Sequence, residues 1–122
     1  MLKGFNHLGI YAKDSKRLTE WYTDMLGFEI TKDTGTGVYF VGLPDGSQLE
    51  IMAAESEGQS HQGKASGMHH IAFTVDEFDG LVAKILEQKP EVVLEPKETD
   101  DGRKLFSFRD IEGNVVQFVY YM

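Results

Sequence analysis

The sequence contains no cysteine. This absence excludes disulfide bonds, thiolate nucleophiles, thiolate zinc sites and iron–sulfur clusters. Any metal ion must therefore be bound by histidine, carboxylate or neutral oxygen ligands. The chain also lacks an apolar run approaching the roughly 20 residues that cross a bilayer, so we expect no membrane partner. The N-terminal segment has no uninterrupted apolar core of the kind found in secretory signals, and we expect a cytoplasmic protein.

Basic residues are scarce as well. The 12 Lys and Arg residues are outnumbered by 20 Asp and Glu residues, which gives a net charge of −8. This charge has the wrong sign for binding a phosphate backbone, so we expect no nucleic-acid partner. A chain of 122 residues can bury one continuous core, which predicts a single domain over 1–122.

The apolar pattern predicts the same order of elements twice. The first half contains strands at 5–12, 28–32, 38–41 and 47–52, and a helix between Asp14 and Gly27. The second half contains strands at 68–75, 92–94, 105–108 and 115–120, and a helix from Phe78 that stops before Pro90. Period-two alternation marks the strands, and apolar residues at helical spacing mark the helices.

Each half therefore reads β-α-β-β-β, and the fold class is predicted as α+β. Module one covers about 1–56 and module two about 67–122, joined by a polar connector at about 53–66. The halves also agree in detail, because HLGIYAKD (7–14) parallels HIAFTVDE (70–77), and PDGSQLEIM (44–52) parallels IEGNVVQFV (111–119). This agreement indicates an internal repeat.

Polar side chains occupy equivalent positions in the two halves. Glu50 and Gln117 each stand between apolar neighbours in the last strand of a half, and His7 and His70 stand in the first strands. Alternation turns all four away from the helix-covered face. His69 then points the other way and is interpreted as structural, and His61 in the connector is interpreted as solvated.

Burying such a set without a compensating centre is costly, and a divalent metal ion would compensate it. Two imidazoles, one carboxylate and one amide oxygen suit Zn, Ni, Co, Fe or Mn, whereas the two nitrogens argue against Ca or Mg. The alternatives without a metal are that Glu50 is an ordinary surface residue of a strand, and that Gln117 marks a metal site that has been lost.

The whole chain resembles the vicinal oxygen chelate superfamily, which includes glyoxalase I, methylmalonyl-CoA epimerase, bleomycin- and fosfomycin-resistance proteins and extradiol dioxygenases. The most specific segments are NHLGIYAKD, MHHIAFTVD, GSQLEIM and GNVVQFVY. The resemblance implies that paired β-α-β-β-β modules form a barrel-like cup in which a metal ion is chelated by two adjacent substrate oxygens. It also implies that His7, Glu50, His70 and Gln117 are the metal ligands.

Gln117 departs from the usual glutamate at the final position. An amide can coordinate through its oxygen but cannot take a proton, so Glu50 is the only carboxylate in the set and the expected catalytic base. The leading hypothesis is a metal-dependent lyase or isomerase of the glyoxalase I type, acting on a small substrate that includes a thiol co-substrate. The alternatives are a non-catalytic sequestering protein resembling bleomycin-resistance proteins, and an acyl-CoA epimerase.

Several apolar side chains are candidates for lining a substrate pocket, although ordinary packing also predicts most of them. They are Phe5, Tyr11, Met52, Phe106 and Phe108. Arg109 is a candidate for binding a substrate carboxylate, with a surface role as the alternative. Because each module alone leaves open sheet edges, we expect the modules to pair, and we expect a homodimer.

Overall fold

The computed structural model describes residues 1–58 and 63–122. The chain divides after Gly58 into two compact units. Residues 59–62 of the predicted connector, including His61, lie outside the described residues. No helix in the described part of the chain is long and apolar enough to cross a membrane.

The first unit is one four-stranded sheet with one helix. Its elements are β1 (Leu8–Ala12), α1 (Ser15–Leu26), β2 (Glu29–Asp33), β3 (Val38–Gly42) and β4 (Gln48–Ala53). The strand order is β1-β4-β3-β2, and only the β1–β4 pair is parallel. Asp14 caps α1 by accepting a hydrogen bond from the backbone N–H of Arg17 at 3.0 Å. Gly27 ends the helix in the left-handed conformation, with φ of 73°.

The second unit repeats this arrangement. Its elements are β5 (Ile71–Thr74), α2 (Phe78–Glu87), β6 (Val92–Glu98), β7 (Arg103–Arg109) and β8 (Val115–Tyr121). The strand order is β5-β8-β7-β6, with β5 and β8 parallel. After α2, Lys89 adopts a positive φ of 52° immediately before Pro90, and the helix does not continue.

Each helix covers one face of its own sheet. In the first unit, Leu18 and Tyr22 of α1 are buried, as are Leu49 and Ile51 of β4. The buried core residues of the second unit on α2, β7 and β8 include Phe78, Val82, Ile85, Phe106, Phe108, Val116 and Phe118. Because side chains alternate along a strand, Glu50 and Gln117 lie on the opposite face of their sheets.

The predicted α+β class and the two β-α-β-β-β modules are confirmed. The strands form two four-stranded sheets, one in each unit. The prediction of a single domain with its module boundaries stays a prediction.

Candidate functional site

His7 and Glu50 come together in the first unit. Gly9 of β1 pairs with Glu50 of β4, and His7 precedes Gly9 by two residues, so both side chains occur on the same face of the sheet. His7 Nε2 lies 3.5 Å from Glu50 Oε1. The strand begins at Leu8, so His7 stands one residue ahead of β1 and not inside the strand that alternation predicts.

The imidazole of His7 is held on two sides. Its Nδ1 lies 2.8 Å from Oδ1 of Asn6, and its ring meets Phe40 edge to face with centroids 5.8 Å apart. Phe40 is the β3 residue that pairs with Glu50. Since an amide oxygen only accepts hydrogen bonds, Nδ1 of His7 donates a hydrogen bond to Oδ1 of Asn6. In the neutral imidazole with this hydrogen bond, the lone pair of Nε2 faces Glu50.

Gly9 leaves room for the Glu50 carboxylate. A Cβ at Gly9 would lie 3.1 Å from Met52 Cε and 4.0 Å from Glu50 Oε1. Met52 pairs with Tyr11 in the same register, which places both on the Glu50 face. Tyr11 is 68% exposed. Tyr11 and Met52 therefore lie on the same face of the sheet as Glu50, and their role in a substrate pocket stays a prediction.

Gln117 occupies the equivalent register in the second unit. It pairs with Ala72 of β5, and His70 precedes Ala72 by two residues, as His7 precedes Gly9. Across the sheet, Gln117 pairs with Ser107 of β7, and its Nε2 donates a hydrogen bond to Ser107 Oγ at 3.1 Å. The repeat seen in the sequence is therefore also a repeat of strand register.

His70 is also held by the residue that precedes it. Nδ1 of His69 lies 2.9 Å from Nδ1 of His70, with the two rings edge to face. Partial burial lowers the pKa of His70 below its ordinary value, and the charge of His69 lowers it further. Asn6 and His69 thus occupy matching positions beside the two histidines. Extending the comparison of the two repeats by one residue towards the N-terminus would have identified Asn6 and His69 as partners of the two histidines.

The structure corrects three of the predicted pocket residues. Phe106 and Phe108 are 0% exposed, and because they pair with Phe118 and Val116 they lie on the opposite face from Gln117. Their rings stack on each other at 5.3 Å in the core. Phe5 lies ahead of β1 and is 104% exposed, so the alternation of the strand does not extend to it.

The proposed role of Arg109 is also corrected. Its Nε donates to Glu91 Oε2 at 2.6 Å, and one terminal nitrogen donates to the carbonyl oxygen of Gly113 at 2.7 Å. The Arg109 side chain is only 15% exposed. These contacts join the start of β6 to the turn before β8, which makes Arg109 a structural residue of its unit.

The donor types fit a first-row divalent metal. In a tetrahedral zinc site the nitrogen and oxygen ligands lie at about 2.0–2.2 Å from the metal, so two of them are about 3.4 Å apart. The 3.5 Å between His7 Nε2 and Glu50 Oε1 matches this separation, and it is long for a hydrogen bond. Within residues 1–58 and 63–122 no group of three or more His, Asp or Glu side chains is placed to hold a metal ion. Each unit by itself supplies two of the four predicted ligands.

Comparison with known proteins identifies the family. The sequence profile of the Glyoxalase/Bleomycin resistance protein/Dioxygenase superfamily matches residues 4–118. The chain belongs to this superfamily. The mitochondrial methylmalonyl-CoA epimerase of Mus musculus is 27% identical over 94 residues, which cover 69% of this chain and 52% of the epimerase.

Solved structures of the superfamily share the fold. A glyoxalase/dioxygenase from Nostoc punctiforme has a TM-score of 0.84 at 17% identity, covering 98% of this chain and 92% of that chain. A mutant of the fosfomycin resistance protein FosX from Listeria monocytogenes has a TM-score of 0.77 at 20% identity, covering 97% and 90%. That structure contains Mn(II) and 1S,2S-dihydroxypropylphosphonic acid.

Proposed function

We propose that the protein is a metal-dependent isomerase or lyase of the glyoxalase I type. In this proposal His7, Glu50, His70 and Gln117 hold one divalent ion of Zn, Ni, Co, Fe or Mn. Three features support the assignment: the superfamily match, the shared register of β1 and β5, each of which follows directly after a histidine, and the facing of His7 and Glu50 at 3.5 Å. The bound ion would act as a Lewis acid towards two neighbouring substrate oxygens.

Glu50 is the proposed proton carrier. The carboxylate of Glu50 lies in β4 at the register where β8 carries the amide of Gln117. In an adduct of a 2-oxoaldehyde and a thiol, Glu50 would take the proton from the carbon that bears sulfur and return it to the neighbouring carbonyl carbon, while the hydroxyl proton on the first carbon's oxygen passes to the oxygen of the second carbon. The product is the thioester of a 2-hydroxy acid, and no atom is gained or lost. One base is sufficient for this transfer. The observation that favours the reaction is that Glu50 is the only carboxylate among the four proposed ligands.

Epimerisation of an acyl-CoA is the second candidate. It is favoured by the 27% identity to the mouse epimerase. An epimerase that removes a proton on one face of a carbon and returns one on the other uses two acid–base groups. Because Gln117 cannot exchange a proton, the one-base isomerisation fits this chain better.

The test is turnover by purified protein loaded with Ni, Co or Zn. We expect conversion of methylglyoxal–thiol hemithioacetals, with little epimerisation of methylmalonyl-CoA. Glu50→Gln should lower kcat by at least about 100-fold, in line with the loss of a general base. The matched control is Glu29→Gln, an exposed glutamate of β2 that should retain full activity. Absence of turnover with every metal, together with retained binding of a small molecule, would favour a sequestering protein instead.

We also propose that the protein is a homodimer. In each described unit the sheet ends in two edge strands, β1 and β2 in the first and β5 and β6 in the second. Open edges favour pairing with another strand or chain. Light scattering of the purified protein should give the mass of two chains, and a monomer mass would contradict the proposal.

A further inference from the structure

Ser107 is a buried polar residue placed directly beside a proposed metal ligand. It is 4% exposed and pairs with Gln117 in the antiparallel ladder of β7 and β8. Its Oγ accepts the hydrogen bond from Gln117 Nε2 at 3.1 Å. Within the described part of the chain this is the hydrogen bond that holds the Gln117 side chain.

The orientation of a glutamine amide decides whether it can bind a metal. The oxygen Oε1 has lone pairs, whereas the neutral amide nitrogen carries two protons and has none to offer. In the structure the Ser107 hydroxyl accepts from Nε2, so the amide nitrogen faces β7 and Oε1 is the atom left for coordination. The same hydrogen bond already restricts the rotation of the Gln117 side chain, so less conformational entropy is lost when a metal binds.

The first unit shows why this contact is needed in only one half. There the residue paired with the ligand Glu50 is Phe40, which offers no hydrogen bond from its side chain. The two oxygens of a carboxylate are equivalent, so either orientation presents a ligand atom. The position opposite the ligand therefore differs between the units in the way that the ligand chemistry requires.

We infer that Ser107 is a positioning residue that fixes the Gln117 amide with its oxygen as the metal ligand. The inference rests on the proposed metal-dependent function. Partners that orient metal ligands in this way contribute about 10- to 100-fold to metal affinity. Ser107 itself touches neither metal nor substrate in this account.

The experiment is a double-mutant cycle read by metal affinity. The Kd for Zn is measured by competition with a chelator for the wild type, Ser107→Ala, Gln117→Glu and the double variant. We expect Ser107→Ala to raise the Kd by about 10-fold or more in the Gln117 background, because the amide is then free to turn. In the Gln117→Glu background the same substitution should leave the Kd unchanged, because a carboxylate does not need to be oriented.

Two controls separate orientation from folding. Ser15→Ala removes another buried serine, in α1, and should leave the Kd unchanged. Ser107→Val removes the hydroxyl and places a residue suited to a buried strand there, so it should also raise the Kd and serves if the alanine variant is unfolded. In the metal-free protein, the NMR signals of the Gln117 side-chain amide, assigned by their loss in Gln117→Glu, should shift and exchange faster with solvent in Ser107→Ala.

The outcomes distinguish this inference from the proposed function. Equal Kd values for the wild type and Ser107→Ala would overturn the role of Ser107 and leave the metal proposal intact. If the wild type bound no metal, the proposed function would fail. The Gln117 amide signals of the metal-free protein would still show whether Ser107 orients the Gln117 side chain. Signals that do not respond to Ser107→Ala would overturn the inference, and signals that respond would support the orientation.

Discussion

Nε2 of His7 and Oε1 of Glu50 face each other at 3.5 Å. Nδ1 of His7 donates a hydrogen bond to Oδ1 of Asn6, so the two facing atoms both carry lone pairs when the imidazole is neutral. Two such atoms repel each other unless a cation lies between them, either a proton on the ring or a metal ion. In the proposed site, a metal ion bound by both atoms would remove this repulsion.

Asn6 should control the tautomer of His7. Asn6→Ala removes the acceptor at 2.8 Å from Nδ1, so the proton should redistribute between the two ring nitrogens. We expect metal affinity to fall by about 10-fold, as for other partners that orient histidine ligands. Nitrogen NMR of the imidazole reports the tautomer and a chelator competition reports the affinity. Asn6→Asp keeps an oxygen acceptor and is the control; equal behaviour of the alanine variant and the wild type would refute the prediction.

Gly9 should set the space available to Glu50. Gly9→Ala places a methyl group 3.1 Å from Met52 Cε, the end of a flexible side chain, so we expect only a small loss of metal affinity. Gly9→Leu should fill the space beside Glu50 and abolish metal binding while the fold is retained. Ala72, which pairs with Gln117 in the second unit, shows that a methyl group is compatible with this register. Metal binding by Gly9→Leu at wild-type affinity would contradict the prediction that Gly9 sets the space available to Glu50.

The pH dependence of His70 follows from its lowered pKa. Burial and the neighbouring His69 disfavour the charged imidazole in the folded protein. The unfolded chain therefore binds this proton first, and the free energy of unfolding should fall as the pH drops below about 6.5 in the metal-free protein. Above that pH both states are neutral at this residue and the contribution is constant. NMR titration should place the pKa of His70 below its ordinary value, and His69→Gln should raise it; a pKa above the ordinary value would contradict the account.

Much of the fold could be predicted from the residues alone. The apolar stripe from Phe78 to Leu86 and the stop at Pro90 marked α2, and Gly27 marked the end of α1. These signals are local, because caps, breakers and helical spacing act within a few residues. The internal repeat then placed Glu50 and Gln117 on equivalent strands, and the paired registers agree with that placement.

The errors and omissions concern contacts between residues that are distant in sequence. Phe106 and Phe108 belong to the core because Ser107, and neither of them, pairs with Gln117. A shift of one residue in that pairing would reverse the faces, and the sequence of β7 alone does not determine it. The sequence leaves Arg109 open between a substrate contact and a surface role, because its partner Glu91, 18 residues earlier, is visible only in the folded chain.

Thr19 offers a stability test outside the site. It is 1% exposed in α1, and its hydroxyl has no hydrogen-bond partner among the described residues. Thr19→Val removes that hydroxyl at nearly constant volume, so we expect the free energy of unfolding to rise by about 1 kcal/mol. In the control Thr23→Val the lost hydroxyl donates to the carbonyl oxygen of Glu20 at 2.9 Å, and no gain is expected. Denaturant unfolding measures both, and a destabilised Thr19→Val would refute the prediction.

The most direct test of the central claim is the metal content of the protein after equilibrium dialysis against Zn or Ni, measured by elemental analysis. We expect one ion per chain in the wild type and in Glu29→Gln, and loss of that ion in both His7→Ala and Gln117→Ala. These two variants remove one proposed ligand from each unit. A wild type without bound metal, or retention of the ion by both ligand variants, would contradict the claim that these side chains form a metal centre.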